Sequence, residues 1–180
     1  GKFVWLATSK SELLAIDQKL TTVVSTIRLP SSYATAMAYE NNNLYVLTAN
    51  KEIFAYDLTT NTQKWNIKVS GNGVDSMVCE NGLLYANAGS FYVIDTQKGK
   101  VLLEQATLSY ENFMRTKPVL TKDRIYTCDS EGHIFIFNKK TIKLKIIASV
   151  LRQKRDISKK IKKVQLNSIN EIANRIFNNH

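Results

Sequence analysis

Proline is scarce in this chain, two residues in 180, and its seven glycines are dispersed. That excludes a collagen-like repeat or a low-complexity linker. Cysteine is as rare: Cys79 and Cys128 lie 49 residues apart with no Cys-x-x-Cys spacing. His133 and His180 are the two imidazoles, so neither a disulfide framework nor a zinc site has enough members. Both cysteines sit in strand-like text and read as buried free thiols. No apolar run reaches the ~18 residues of a membrane-spanning helix. None of the sixteen asparagines stands in an Asn-x-Ser/Thr acceptor, which leans toward the cytoplasm. The opening GKFVWLATSK lacks the basic, apolar and small-residue layout of an export signal. It reads as a cleaved tag or the edge of a longer chain. A periplasmic or luminal site therefore stays open, should a signal have been removed.

What is present is ordinary for a globular protein, 44% apolar and 22% charged. Its arrangement repeats. A strand ending on an acidic or amide residue occurs four times, as LLAID ending at Asp17, IFAYD at Asp57, FYVID at Asp95 and IFIFN at Asn138. The intervals are 40, 38 and 43 residues. Each copy is preceded by a strand (FVWLATS, NLYVLTAN, GLLYANA, RIYTCDS) and followed by another (VVSTIRL, QKWNIKV, KVLLEQA, LKIIASV). A fourth strand opens the last three units: YATAMAYEN, GVDSMVCEN and MRTKPVLTK. NNN, ENG and TKD, between the first two strands of those units, suit tight hairpins. Four-stranded meanders recurring about every forty residues predict an all-β fold, a WD40-like β-propeller. A sandwich also has short strands and frequent turns, but would not require the Asp-turn layout to return.

One unit carries a sharper signature. Ala55-x-Asp57-x-x-Thr60-Asn61-x-x-x-Trp65 resembles the tryptophan-docking repeat A-x-D-x-x-T-G-x-x-x-W of quinoprotein-type (PQQ-like) propellers. Asn61 replaces the usual glycine and, like it, enters the left-handed region. The third unit keeps Asp95 and Gly99, with Val93 for Ala and Leu103 for Trp. The first keeps Ala15 and Asp17, with Ser25 at the Trp position; the fourth keeps Thr141, with Asn138 for Asp. The resemblance covers roughly residues 2–149. Its motif is structural: Asp or Asn accepts hydrogen bonds from the turn, and Ala55 leaves room for a ring. Trp65 is expected to be a wedge between blades, and Trp5 a core residue.

The units fall near 2–29, 33–69, 73–107 and 113–149, within a propeller domain over 1–149. The first lacks its innermost strand. Propellers of this family usually close with seven or eight blades, so about four blades predict a partial or small ring. Its exposed edges invite a homodimer or a larger ring. The luminal sensors of the unfolded-protein response resemble such a dimerising partial ring.

After Val150 the composition changes. Residues 150–180 hold eight Lys/Arg against two acids, and Ile157, Ile161 and Val164 keep helical spacing, as do Ile169, Ile172 and Ile176. Ser168-x-x-Glu171 has the form of a capping box. A short basic amphipathic helical tail is expected. Arg152, Lys154, Arg155, Lys159, Lys160, Lys162 and Lys163 either line a solvated face or bind an acidic partner protein. Phosphate, on nucleic acid or an anionic membrane, is a weaker third reading, since no aromatic interleaves the lysines.

The search for chemistry is thin. PQQ-dependent dehydrogenases hold quinone and Ca²⁺ near the ring axis, often beside a vicinal disulfide; this chain has no adjacent cysteines. His133 in SEGHI is expected to face solvent, which would leave no triad base. Gly71-Asn72-Gly73 precedes a strand and reads as a connecting loop, not a dinucleotide loop. Asp75 and Glu80 are placed too far apart along one strand to cooperate. The expectation is a non-catalytic, protein-binding scaffold, inhibitor or immunity-type module without cofactor or metal. The outer-membrane barrel-assembly lipoprotein is one such scaffold in the family. The alternatives are a fragment of a quinoprotein-like dehydrogenase propeller, and phosphate or nucleic-acid binding through the tail.

Overall fold

The structure, a computed structural model, describes residues 3–19, 21–71, 74–107, 113–139 and 143–147. They form fifteen strands in four antiparallel meanders, with no helix among the described residues. The first sheet has three strands, β1 (Phe3–Ala7), β2 (Glu12–Asp17) and β3 (Val23–Arg28). The second has four, β4 (Ala34–Glu40), β5 (Asn43–Thr48), β6 (Glu52–Asp57) and β7 (Thr62–Lys68). The third comprises β8 (Ser76–Glu80), β9 (Leu83–Ala88), β10 (Ser90–Asp95) and β11 (Lys100–Gln105). The fourth comprises β12 (Val119–Leu120), β13 (Arg124–Cys128), β14 (Ile134–Asn138) and β15 (Lys143–Ile147). This is the all-β partial propeller that the repeats predict. The helical tail, its seven cationic residues and Thr141 lie outside the described residues.

Turn chemistry sets the hairpins. Asn41 and Asn42 join β4 to β5 with φ of 48° and 60°, and Asn81 and Gly82 join β8 to β9 with φ of 53° and 76°. Two successive positive φ values are what a two-residue turn between right-twisted strands requires.

The middle strands of the second and third sheets are largely apolar because each has a sheet against both faces. Successive residues on a strand point to opposite sides. Leu44, Val46, Phe54 and Tyr56 therefore pack against Leu13, Ile27 and Leu29 of the first blade and its C-terminal end. Tyr45, Leu47, Ile53 and Ala55 turn the other way, onto Leu84, Ala86, Tyr92 and Ile94. The same alternation sends Tyr85, Phe91 and Val93 onto Ile125, Phe135 and Phe137. Three thin cores thus lie between four sheets.

The fourth sheet departs from the expected layout. MRTKPVLTK reads as one strand, yet only Val119 and Leu120 pair with β13, with a separate bridge from Met114 to Asp129. Pro118 offers no N–H to a ladder, so pairing begins after it.

Candidate functional site

The repeated turn is built alike in the second and third sheets. Asp57 Oδ1 accepts the N–H of Thr59 at 2.8 Å and of Thr60 at 3.3 Å. Asp95 Oδ1 accepts those of Gln97 at 2.9 Å and Lys98 at 3.0 Å. In the first sheet Asp17 reaches further, accepting the N–H and hydroxyl of Thr21, both at 2.9 Å. Hydrogen bonds to the charged form favour it. The Thr59 N–H holds the Asp57 carboxyl below its ordinary range, and the Thr21 N–H does so for Asp17. Asn61 and Gly99 close two of these turns with φ of 56° and 65°.

Behind each turn the register is also shared. Ala15 faces Ser25, Ala55 faces Trp65 and Val93 faces Leu103, each followed by a shift of register. In the fourth sheet Asn138 ends β14, between Arg124 and Lys143, without that shift.

Trp65 carries the link from the second sheet to the third. Its ring stacks on Tyr45 at 5.9 Å between centroids, and its indole N–H donates to the Thr96 carbonyl at 2.8 Å. Gly99 lies against the ring: a Cβ there would fall 2.7 Å from Trp65 Cδ2. Positive φ and close approach both require glycine at this position.

Between the first and second sheets the corresponding place is open. Ser25 occupies the position of Trp65, Trp5 that of Tyr45, Asn61 that of Gly99 and Leu58 that of Thr96. A cavity of about 890 Å³ results, lined by Phe3, Trp5, Ser25, Tyr39, Leu58 and Asn61 among others. Sequence reading marked Ser25 and Asn61 as separate departures from the motif and did not single out Phe3, Tyr39 or Leu58. The signal available was that both departures fall on neighbouring units.

Other polar groups hold blades together. Lys51 of the second sheet pairs with Asp75, which also accepts the Thr35 hydroxyl at 2.6 Å. Glu80 pairs instead with Lys139, so the two carboxylates serve different contacts. Glu40 accepts the Gly82 N–H at 3.0 Å and the Cys79 thiol at 3.4 Å. Burial first, then this carboxylate, pushes the Cys79 thiol up. Cys79 and Cys128 are free thiols, as expected, and half-buried rather than buried. Gly71 lies in the connection between β7 and β8, where a Cβ would meet Gly89 Cα at 2.8 Å.

The solvent-facing imidazole expected at residue 133 is corrected. His133 Nδ1 lies 2.8 Å from Asp129 Oδ2, and 16% of its side chain is exposed. Asp129 Oδ1 also accepts the N–H of Glu131 at 3.0 Å and of His133 at 2.9 Å. A buried carboxylate draws the imidazole inward to close the hairpin. Among the described residues no group of three His, Cys, Asp or Glu side chains could hold a metal ion.

Meanders packed face to face, with the docking tryptophan seated in the second unit, define a PQQ-like β-propeller. A family model described as outer membrane protein assembly factor BamB matches residues 1–169, and the chain belongs to that family. Among solved structures, BamB from Moraxella catarrhalis is similar at 16% identity and a TM-score of 0.68, over 80% of this chain and 45% of that one. The Cps50 (Swd1) β-propeller domain from Myceliophteria thermophila is similar at 12% identity and 0.66, over 82% and 53%. The RRP9 WD40 repeats are similar at 11% and 0.65, over 81% and 47%. The chain thus spans about half the length of the propellers it resembles. No curated protein matches it in sequence.

Proposed function

We propose that this chain is a non-catalytic propeller module that binds another protein, as a scaffold, assembly or inhibitor-type component. The observation that carries this reading is the outer face of the first sheet. Val4 pairs with Ile16 and Leu6 with Leu14, which sets the four side chains on one side of β1 and β2. Val4 and Leu6 are 41% and 45% exposed, whereas Leu13 and Ala15, on the opposite side, are buried against the second sheet. At the three interfaces between the described sheets such a face has a sheet against it. Among the described residues no sheet lies against this face, and an exposed apolar patch of this kind marks a protein-interaction surface. The family's description as an assembly factor supports the same reading.

The test is sedimentation at micromolar concentration, with and without affinity capture of partners. The wild-type chain is expected to self-associate or to retain a partner protein, and Val4→Lys with Leu6→Lys to lose it. A wild-type chain that stays monomeric and captures nothing would count against the reading.

The basic tail is a second element of this proposal. Seven cations, Arg152, Lys154, Arg155, Lys159, Lys160, Lys162 and Lys163, stand within twelve residues with Asp156 as the sole acid. Such a density steers an acidic partner over about 8–10 Å at physiological salt. Replacing Lys159, Lys160, Lys162 and Lys163 by Gln should slow association and flatten its salt dependence. Comparable affinity for unrelated DNA, RNA and anionic vesicles would favour phosphate binding instead.

A further inference from the structure

We propose that the notch between the first and second sheets binds a tryptophan side chain presented by a partner polypeptide. The chain contains its own template for that ligand, one interface away. There, Trp65 enters a slot with an aromatic wall (Tyr45), a carbonyl acceptor (Thr96) and a residue of positive φ at the rim (Gly99). The notch has the wall and the acceptor in register, Trp5 and Leu58, while Asn61 repeats the positive φ of Gly99 but carries a side chain, so an incoming ring lies farther from the rim than Trp65 does.

The acceptor is held in the same way in both places. Leu58 N–H donates to the Asn42 carbonyl at 2.9 Å, as Thr96 N–H does to that of Gly82 at 3.1 Å. The backbone that aims the Thr96 carbonyl at an indole N–H is therefore repeated at Leu58. What differs is the plug, together with the Asn61 side chain at the rim. Ser25, in place of Trp65, leaves a cavity of about 890 Å³. That falls in the ~300–1,000 Å³ range of ligand sites and is more than one ring needs.

A planar ring with a single N–H donor matches an aromatic wall plus one carbonyl better than an aliphatic group does, because the carbonyl is then paired. The surplus room, and the exposed Tyr39 and Asn61 at the mouth, suit the peptide backbone that carries such a ring. The choice of a polypeptide occupant rests on the reading of the chain as a protein-binding module.

The test is an NMR titration of the full chain with N-acetyl-tryptophanamide, beside N-acetyl-phenylalaninamide and free indole. The tryptophan amide is expected to shift resonances of Trp5, Ser25, Leu58 and Asn61 and to leave those around Trp65 unmoved. It should bind tighter than the other two by about tenfold, one good interaction. Ser25→Trp combined with Asn61→Gly rebuilds the motif within the chain and should abolish the shifts. Trp5→Leu, which removes the stacking wall without filling the notch, should weaken them if the plugged variant does not fold.

No shifts at millimolar probe, or shifts that persist in the plugged variant, would overturn the site. Equal binding of the phenylalanine amide would overturn recognition of the indole N–H, and equal binding of free indole the polypeptide occupant. Failure here with continued association through Val4 and Leu6 would leave the protein-binding reading in place.

Discussion

Between the second and third sheets an indole fills the gap, donates its N–H to Thr96 and rests on a glycine. Between the first and second the same backbone frames a cavity, with Ser25 and Asn61 at the corresponding positions. Two interfaces built on one register therefore differ in what seals them. The comparison teaches that the propeller backbone does not depend on the docking ring. The apolar layer of Leu13, Ile27, Leu44, Val46 and Phe54 suffices to pack the first sheet. The ring adds stability where it is present, and its absence leaves room.

The largest effect should come from removing the ring that is there. Trp65→Ala is expected to lower unfolding free energy by about 3 kcal/mol, the low end for large aromatics because the ring is half-buried. An unchanged chemical-denaturation midpoint would mean that the two interfaces are equivalent after all.

Gly99→Ala should follow, at about 2 kcal/mol, since an alanine there meets the left-handed penalty and the Trp65 ring together. Asn61→Ala, with similar φ but no ring against it, should lose about 1 kcal/mol. Equal losses at the two positions, measured by denaturation, would break the comparison.

Filling the empty interface should give a smaller change of opposite sign. Ser25→Trp with Asn61→Gly is expected to raise stability by about 1 kcal/mol, in the range of cavity-filling changes. A gain in the denaturation midpoint would show that the first interface can accept the motif.

The smallest effect is at the turns. The carboxyl of Asp57 is held below its ordinary value of 3.8, chiefly by the Thr59 N–H. A group depressed in the folded state contributes stability that is present above its unfolded pKa. That contribution is lost as pH falls through the lower folded pKa. Acid should therefore weaken the protein below about pH 4, and Asp57→Asn should flatten that limb. Denaturation midpoints between about pH 2 and 5 check the slope.

Several features are legible in the sequence alone. The recurring Asp-turn at about forty residues predicted the meanders, and paired Asn or Asn-Gly the two-residue turns. The departures at Ser25, Asn61, Val93 and Leu103 could be placed on the motif one by one. The cavity was not legible, because it needs β3 and the turn after β6 to meet across 36 residues of chain. His133 was misjudged for a related reason. A histidine in a polar turn looks solvated until the burial of Asp129, beside it in space, draws it in. MRTKPVLTK looked like a full strand because apolar content is local, whereas the ladder that Pro118 interrupts requires a partner.

By itself the sequence determined the repeat, the hairpin turns and which residues alternate on each strand. These follow from backbone geometry and side-chain period, which act over a few residues. Tertiary structure alone decided that Trp65 seals one interface while Ser25 leaves another open, and that Val4 and Leu6 lie on a face with no described sheet against it. Those outcomes depend on which sheet stands opposite which, a relation between distant segments that burial of apolar surface settles only once the sheets have packed.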